Sequence, residues 1–267
     1  MPGNHNSLLK YLTNINGIAL VILLYFCSAC QGGNGKDVGD KIMAVDSIRA
    51  DSVHKLEGLW VNKVYADTLL LTRSPRTSQQ VGGNTYLYFT DSAEPSVLVG
   101  LGFHEGTAWS IIRSSNKVML YDSGERKNMG VVETISTEEF RLGSQDFIKL
   151  KHPNRDSYDY NIVEELLFAG NYRIQNGATV SLSPDGRASG WDTIRYYVPN
   201  VDYIGPGMDV DQVQLGSDKD KLTPYGFRFD KDTLFIYKLN CLTADSITHE
   251  CYSVAFGDVA WKLVKKR

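Results

Sequence analysis

The chain has 267 residues, a formal net charge of -3, 22% charged and 42% hydrophobic residues, and four cysteines. That apolar share can build a sizeable core, and the near-neutral balance without a long basic block argues against nucleic acid as a partner. The body is rich in Tyr, Val, Thr and Gly and is cut into short alternating runs by turn residues, which is the composition of an all-β protein.

Residues Ile18 to Ala29 carry no charge, and Lys10 is the basic residue ahead of them. As a helix the run would span roughly 18 Å, well short of a hydrocarbon core of about 30 Å, so it reads as a secretory h-region and not a permanent transmembrane helix. Ser28-Ala29 ahead of Cys30 supplies the small side chains that a signal peptidase requires. This stretch, GIALVILLYFCSAC from Gly17 to Cys30, resembles the signal peptide and lipobox of bacterial lipoproteins. The resemblance implies that residues 1–29 are removed, that the Cys30 thiol is diacylated, and that the membrane is a partner through this anchor. Two or three acyl chains, at about 0.8 kcal/mol per buried methylene, give lasting attachment where one chain is reversible. Residues 30–55, in which QGGNGKDVGDK follows Cys30, read as a flexible tether, with weak helical periodicity from Lys41. Gln31 stands where Asp would hold an enteric lipoprotein at the inner membrane, so the same resemblance favours the outer membrane of the bacterial cell envelope. Loss of residues 1–29 leaves 27 basic and 31 acidic residues.

Beyond the tether, LWVNKVY at 59–65 alternates as a half-buried strand does. Residues 66–80, ADTLLLTRSPRTSQQ, change to helical spacing broken at Pro75, which predicts a short helix and a turn. Strands follow at 85–90, 96–103, 107–113, 117–122, 130–135 and 146–151, close enough in sequence to pair only as antiparallel neighbours. HPNRDSYDY at 152–160 breaks the pattern and opens a linker, 153–165. In the second half Asn176-Gly177 and Pro184-Asp-Gly186 predict tight turns, 199–221 is longer and less regular, and 225–239 reads as a hairpin around Asp230-Lys-Asp232.

The pattern restarts. Gly58-Leu-Trp60 has a counterpart in Gly170-Asn-Tyr172, IKL at 148–150 has one in WKL at 261–263, and KVMLYD at 117–122 is like DTLFIY at 232–237. Such offsets predict a duplicated unit, 56–152 and 166–267. A GxW start on a β unit whose last strand returns beside its first resembles the lipocalin-like proteins. That resemblance implies antiparallel up-and-down barrels, each able to hold one apolar ligand, in two tandem units or, alternatively, one larger barrel.

Chemistry is sparse. Cys241 and Cys251 flank LTADSITHE between two strand-like runs, and an exported context makes a disulfide the default, ahead of free thiols or a Cys-His metal pair with His249. His104-Glu105 lacks the second His of a zinc helix. Asp209, Asp211, Asp218 and Asp220 lack EF-hand spacing, and no nucleophile elbow or P-loop occurs. Glu138-Glu139 and Glu164-Glu165, if in strands, point to opposite faces. The chain therefore reads as a non-enzyme with no implied cofactor or metal. Its binding candidates are the aromatics Trp60, Trp109, Trp191, Tyr196 and Tyr197, which fill barrels or line a cavity. The expected function is that of an envelope lipoprotein binding a small apolar or amphipathic ligand. The alternatives are a structural or protein-interaction lipoprotein with filled barrels and, third, a hydrolase.

Overall fold

The computed structural model describes residues 55–81, 84–90, 96–101, 105–114, 117–152 and 161–266. Cys30, the tether up to residue 54, His104 and linker residues 153–160 lie outside them. The described strands form two antiparallel sheets of eight, and each sheet closes on itself.

The first barrel runs β1 (Gly58–Asn62), β2 (Asn84–Phe89), β3 (Ser96–Leu101), β4 (Glu105–Ser114), β5 (Lys117–Asp122), β6 (Lys127–Thr134), β7 (Glu139–Leu142) and β8 (Gln145–Lys149). Strand β8 returns to β1 with Lys149 opposite Trp60. The second runs β9 (Gly170–Arg173), β10 (Thr179–Leu182), β11 (Arg187–Trp191), β12 (Ile194–Pro199), β13 (Gln212–Gly216), β14 (Thr223–Asp230), β15 (Thr233–Ala244) and β16 (Cys251–Lys265). Here β16 returns to β9 with Lys265 opposite Tyr172. Two tandem barrels with a short helix after the first strand are thus the architecture. One larger barrel is excluded, because closure of β8 on β1 leaves no edge for β9 to extend.

The first strand is shorter than its alternation suggests. Asn62 accepts from the backbone N–H groups of Val64 and Tyr65, caps a helix, and ends β1 two residues after Trp60. Helix α1 (Lys63–Thr72) stops where Arg73 turns left-handed and its N–H bonds to the Leu69 carbonyl. Ser74 then caps the single turn α2 (Pro75–Ser78), with Pro75 at its first position. Strand β7, EFRL, escapes pattern reading because four residues hold only two apolar positions. Glu164 and Glu165 stand on a helical turn, Glu164–Phe168, and not on a strand. Expected linker residues 161–165 are therefore folded: Ile162 and Val163 are fully buried, and Glu165 accepts from the backbone N–H of Lys151 and His152.

The repeat is visible in how the barrels close. Gly58 and Gly170 have φ of 113° and 146°, and a Cβ on either would meet the stem of Lys149 or Lys265. Those lysines lie over Trp60 and Tyr172, with Nζ 5.2 and 5.7 Å from the ring centroids. Trp60 Nε1 donates to the Leu56 carbonyl and the Tyr172 hydroxyl to that of Phe168, both at 2.6 Å and both four residues back. The Gly-x-aromatic match is thus a true equivalence. The counterpart of Lys149 is Lys265, however, so WKL at 261–263 falls too early. KVMLYD forms the fifth strand of its barrel whereas DTLFIY lies in the seventh, and their likeness is only that of two alternating strands.

Inward residues fill the first barrel. Phe140 touches Trp60, Phe89 and Phe147 at centroid distances of 4.7, 5.9 and 5.1 Å. In the second, Phe168 enters from the turn before β9 and meets Tyr197, Phe227 and Phe229 at 5.6, 4.9 and 5.4 Å. Strand β1 is buried on both faces, because outward Leu59 and Val61 join Tyr65 and Leu69 of α1, Ile162 and Phe168 in one cluster with the second core. Polar contacts reinforce this junction. Asp211 accepts from the Arg76 N–H, Arg76 Nε donates to the Met208 carbonyl, and Gln79 accepts from the Tyr203 N–H.

Strands β15 and β16 form a long hairpin stapled by a disulfide between Cys241 and Cys251, as their spacing predicts. The 200–211 loop braces it: the Gly207 N–H donates to the Tyr252 carbonyl, and Asp209 accepts from the Val254 N–H.

Candidate functional site

A cavity of about 410 Å³ opens at the end of the second barrel that carries the β9–β10 and β11–β12 turns. Ile174, Gln175, Asn176 and Ala178 contribute from the first turn, Gly190, Trp191 and Asp192 from the end of β11, and Trp261 and Lys262 from β16. None of Phe168, Tyr172, Tyr197 or Phe227 lines it, since these fill the barrel elsewhere. The site is a shallow cup.

Local sequence shapes the cup. Asn176 accepts from the Ala178 N–H, and Gly177 takes φ of 85° with its N–H on the Ile174 carbonyl, which folds the first turn tightly. The pairing of β11 with β12 shifts register between Arg187 and Trp191. Gly190 sits at that irregularity with φ of 72°, and a Cβ there would come within 2.1 Å of the Thr179 carbonyl oxygen. Only glycine lets β11 approach β10 this closely, and Trp191 follows it into the wall.

Trp191 and Trp261 meet edge to face at 5.4 Å, and Tyr225 backs Trp261 at 5.1 Å. Trp191 is 1% exposed, and its Nε1 finds no hydrogen-bond partner among the described residues. A buried donor without an acceptor costs about 1–3 kcal/mol, which makes it a notable feature of a folded interior. Gln175, Asn176, Asp192 and Lys262 are exposed at the lip. One acid and one base there leave no dominant charge.

Of the five aromatic candidates, the structure brings only Trp191 to this cavity. Trp60 is sealed in the first core, and Trp109 donates from its indole to Asp122 Oδ2 at 3.1 Å. The Asp122 carboxyl is held below the usual range, first by the Glu125 backbone N–H and further by Trp109 and the Gly124 N–H, against the opposing effect of burial. Tyr197 faces inward and donates to the Ser183 carbonyl at 2.6 Å, whereas Tyr196 is half-buried under the Lys219 ammonium. Sequence alone does not mark Trp261 or the lip residues as a site, although Asn176-Gly177 is a turn signal and Trp261 is the fourth tryptophan. Nothing in linear sequence joins β16 to the β9–β10 turn.

The other sets stay apart. Asp209 and Asp211 hold the 200–211 loop to different elements, Asp218 accepts from the Asp220 N–H in its own turn, and Glu105 opens β4. Among the described residues, no three His, Cys, Asp or Glu side chains gather to hold a metal ion. Compared with known proteins, the chain matches no family model, no curated protein and no solved structure.

Proposed function

We propose that this chain is a lipid-anchored protein of the bacterial cell envelope, without catalysis in its barrels, whose second barrel binds a small amphipathic molecule. The observation that carries the reading is the cavity of about 410 Å³, with aromatic walls and a polar lip, in a size range typical of small-ligand sites. The first barrel serves as scaffold, its interior being occupied by Trp60, Phe140 and Phe147. Anchorage rests on Cys30 and the apolar run before it. No helix among the described residues is long and apolar enough to cross a membrane, and the apolar run at 18–29 lies outside them.

The test uses the four tryptophans as reporters. Indole N–H resonances, assigned with single Trp→Phe variants, are followed while the protein is exposed to fractionated aqueous and organic extracts of bacterial envelopes. At least one fraction is expected to shift Trp191 and Trp261 and leave Trp60 and Trp109 in place. If no fraction shifts Trp191, the ligand reading fails and a protein-interaction role replaces it.

A further inference from the structure

Resting on the ligand reading above, we infer that the molecule taken by the cup is a neutral sugar, bound through one pyranose ring, and not an alkyl chain. The first reason is depth. An acyl chain needs a long apolar tunnel, and in this barrel that space is taken by Phe168, Tyr172, Tyr197 and Phe227, each no more than 1% exposed. The second is the Trp191 indole N–H. Trp191 lines the cavity and its Nε1 is buried without an acceptor among the described residues, so a ligand oxygen reaches it only when the ring turns this atom toward the cup, and then supplies a bond the protein alone does not make. A hydrocarbon has no such atom.

The third reason is how the polar and apolar surfaces are divided. A pyranose carries a flat C–H face and a rim of hydroxyls. The cup offers a half-buried Trp261, set at 88° to Trp191, for the face. Gln175, Asn176 and Asp192 line the cup at exposed positions and offer amide and carboxylate groups for the hydroxyls. Side-chain amides both donate and accept, as hydroxyls do, and a carboxylate accepts from them. Asp192 and Lys262 together carry no net charge, so the lip does not favour a phosphorylated or carboxylated ligand over a neutral one. A nucleotide or phosphate would require a cluster of cations or a helix N-terminus, and the lining has one lysine and no helix.

The experiment titrates the full-length protein with methyl glucoside, methyl galactoside, N,N′-diacetylchitobiose and, separately, dodecanoate, following the assigned indole N–H signals. At least one sugar is expected to shift Trp191 and Trp261 saturably. Trp191→Phe, which keeps an apolar ring and deletes the donor, is expected to weaken that sugar roughly ten-fold or more. Unchanged Trp60 and Trp109 signals report the first barrel, and a sharp, dispersed Trp261 signal establishes that the second barrel of the variant is folded too. Gln175→Ala, at an exposed position, gives a second variant that is expected to weaken binding several-fold without touching the core. Dodecanoate shifting Trp191 while no sugar does would overturn the sugar inference and leave the ligand reading standing. No shift with any probe overturns the sugar inference, and the envelope-extract experiment then decides the broader reading separately. Sugar binding that Trp191→Phe leaves unchanged would overturn the role given to the indole N–H.

Discussion

Phe140→Ala tests whether the first barrel is filled. The side chain is fully buried and touches three aromatic rings, Trp60 at 4.7 Å, Phe147 at 5.1 Å and Phe89 at 5.9 Å. Truncation of a buried Phe costs about 3–5 kcal/mol, with the upper end applying where the surroundings do not collapse into the space. Collapse is restricted here, because β6 and β8 hold β7 by backbone hydrogen bonds on both sides and the barrel has no free edge. A loss of about 4–5 kcal/mol is expected, or roughly 8–20 °C in Tm, since the shared cluster at β1 and α1 couples the two barrels. Calorimetry, with far-UV circular dichroism and tryptophan fluorescence as probes of coincidence, measures it. Leu242→Ala, at a side chain 64% exposed, is the control and stays within about 0.5 kcal/mol. A loss below about 1 kcal/mol at Phe140 would refute the filled interior and return the first barrel to the set of ligand sites.

Replacing Cys30 with Ser is expected to release the protein from the membrane fraction and block lipobox-type processing; a variant that stays bound and equally processed would refute the anchor. Non-reducing peptide mapping is expected to recover Cys241 joined to Cys251, and replacing both with Ser to cost up to about 2–3 kcal/mol on the chain-entropy model for so short a loop. Two alkylatable thiols in protein taken directly from cells would contradict the bond. Burial raises the Asp211 carboxyl above its ordinary value of 3.8, against hydrogen bonds from Ser74, the Arg76 N–H and Tyr203. The folded state then holds this proton more tightly than the unfolded state, so the contribution of Asp211 is most favourable below the unfolded value and falls as pH rises through the folded one. Asp211→Asn keeps an acceptor for Arg76 and removes the charge, so its Tm relative to the parent is expected to rise from pH 3.5 to pH 7. A difference that is flat or falls with pH would refute the burial of a raised carboxyl at this junction.

Much of this protein is legible from residues near one another in the chain. Alternation and turn residues predict most strands, Asn176-Gly177 and Pro184-Asp-Gly186 place two turns, and Gly58-Leu-Trp60 marks where a barrel closes. The proposed N-terminal address, from Lys10 to Cys30, rests on sequence alone. These features depend on the two-residue period of a pleated strand, on φ preferences and on short apolar runs, all of which act over a few residues. Other features required closure of the sheets. The side chain of Asn62 competes with the ladder and turns the end of a predicted strand into a helix cap. Leu59 and Val61 are buried because a second barrel covers the face that alternation assigns to solvent. Trp60, Trp109, Trp191 and Tyr197 look alike in sequence, yet three are core and one lines a cavity. Trp191 meets Trp261 across strands far apart in the chain, because β16 returns to β9 and completes the barrel; alternation says which side chains share a face, whereas only closure decides what that face encloses.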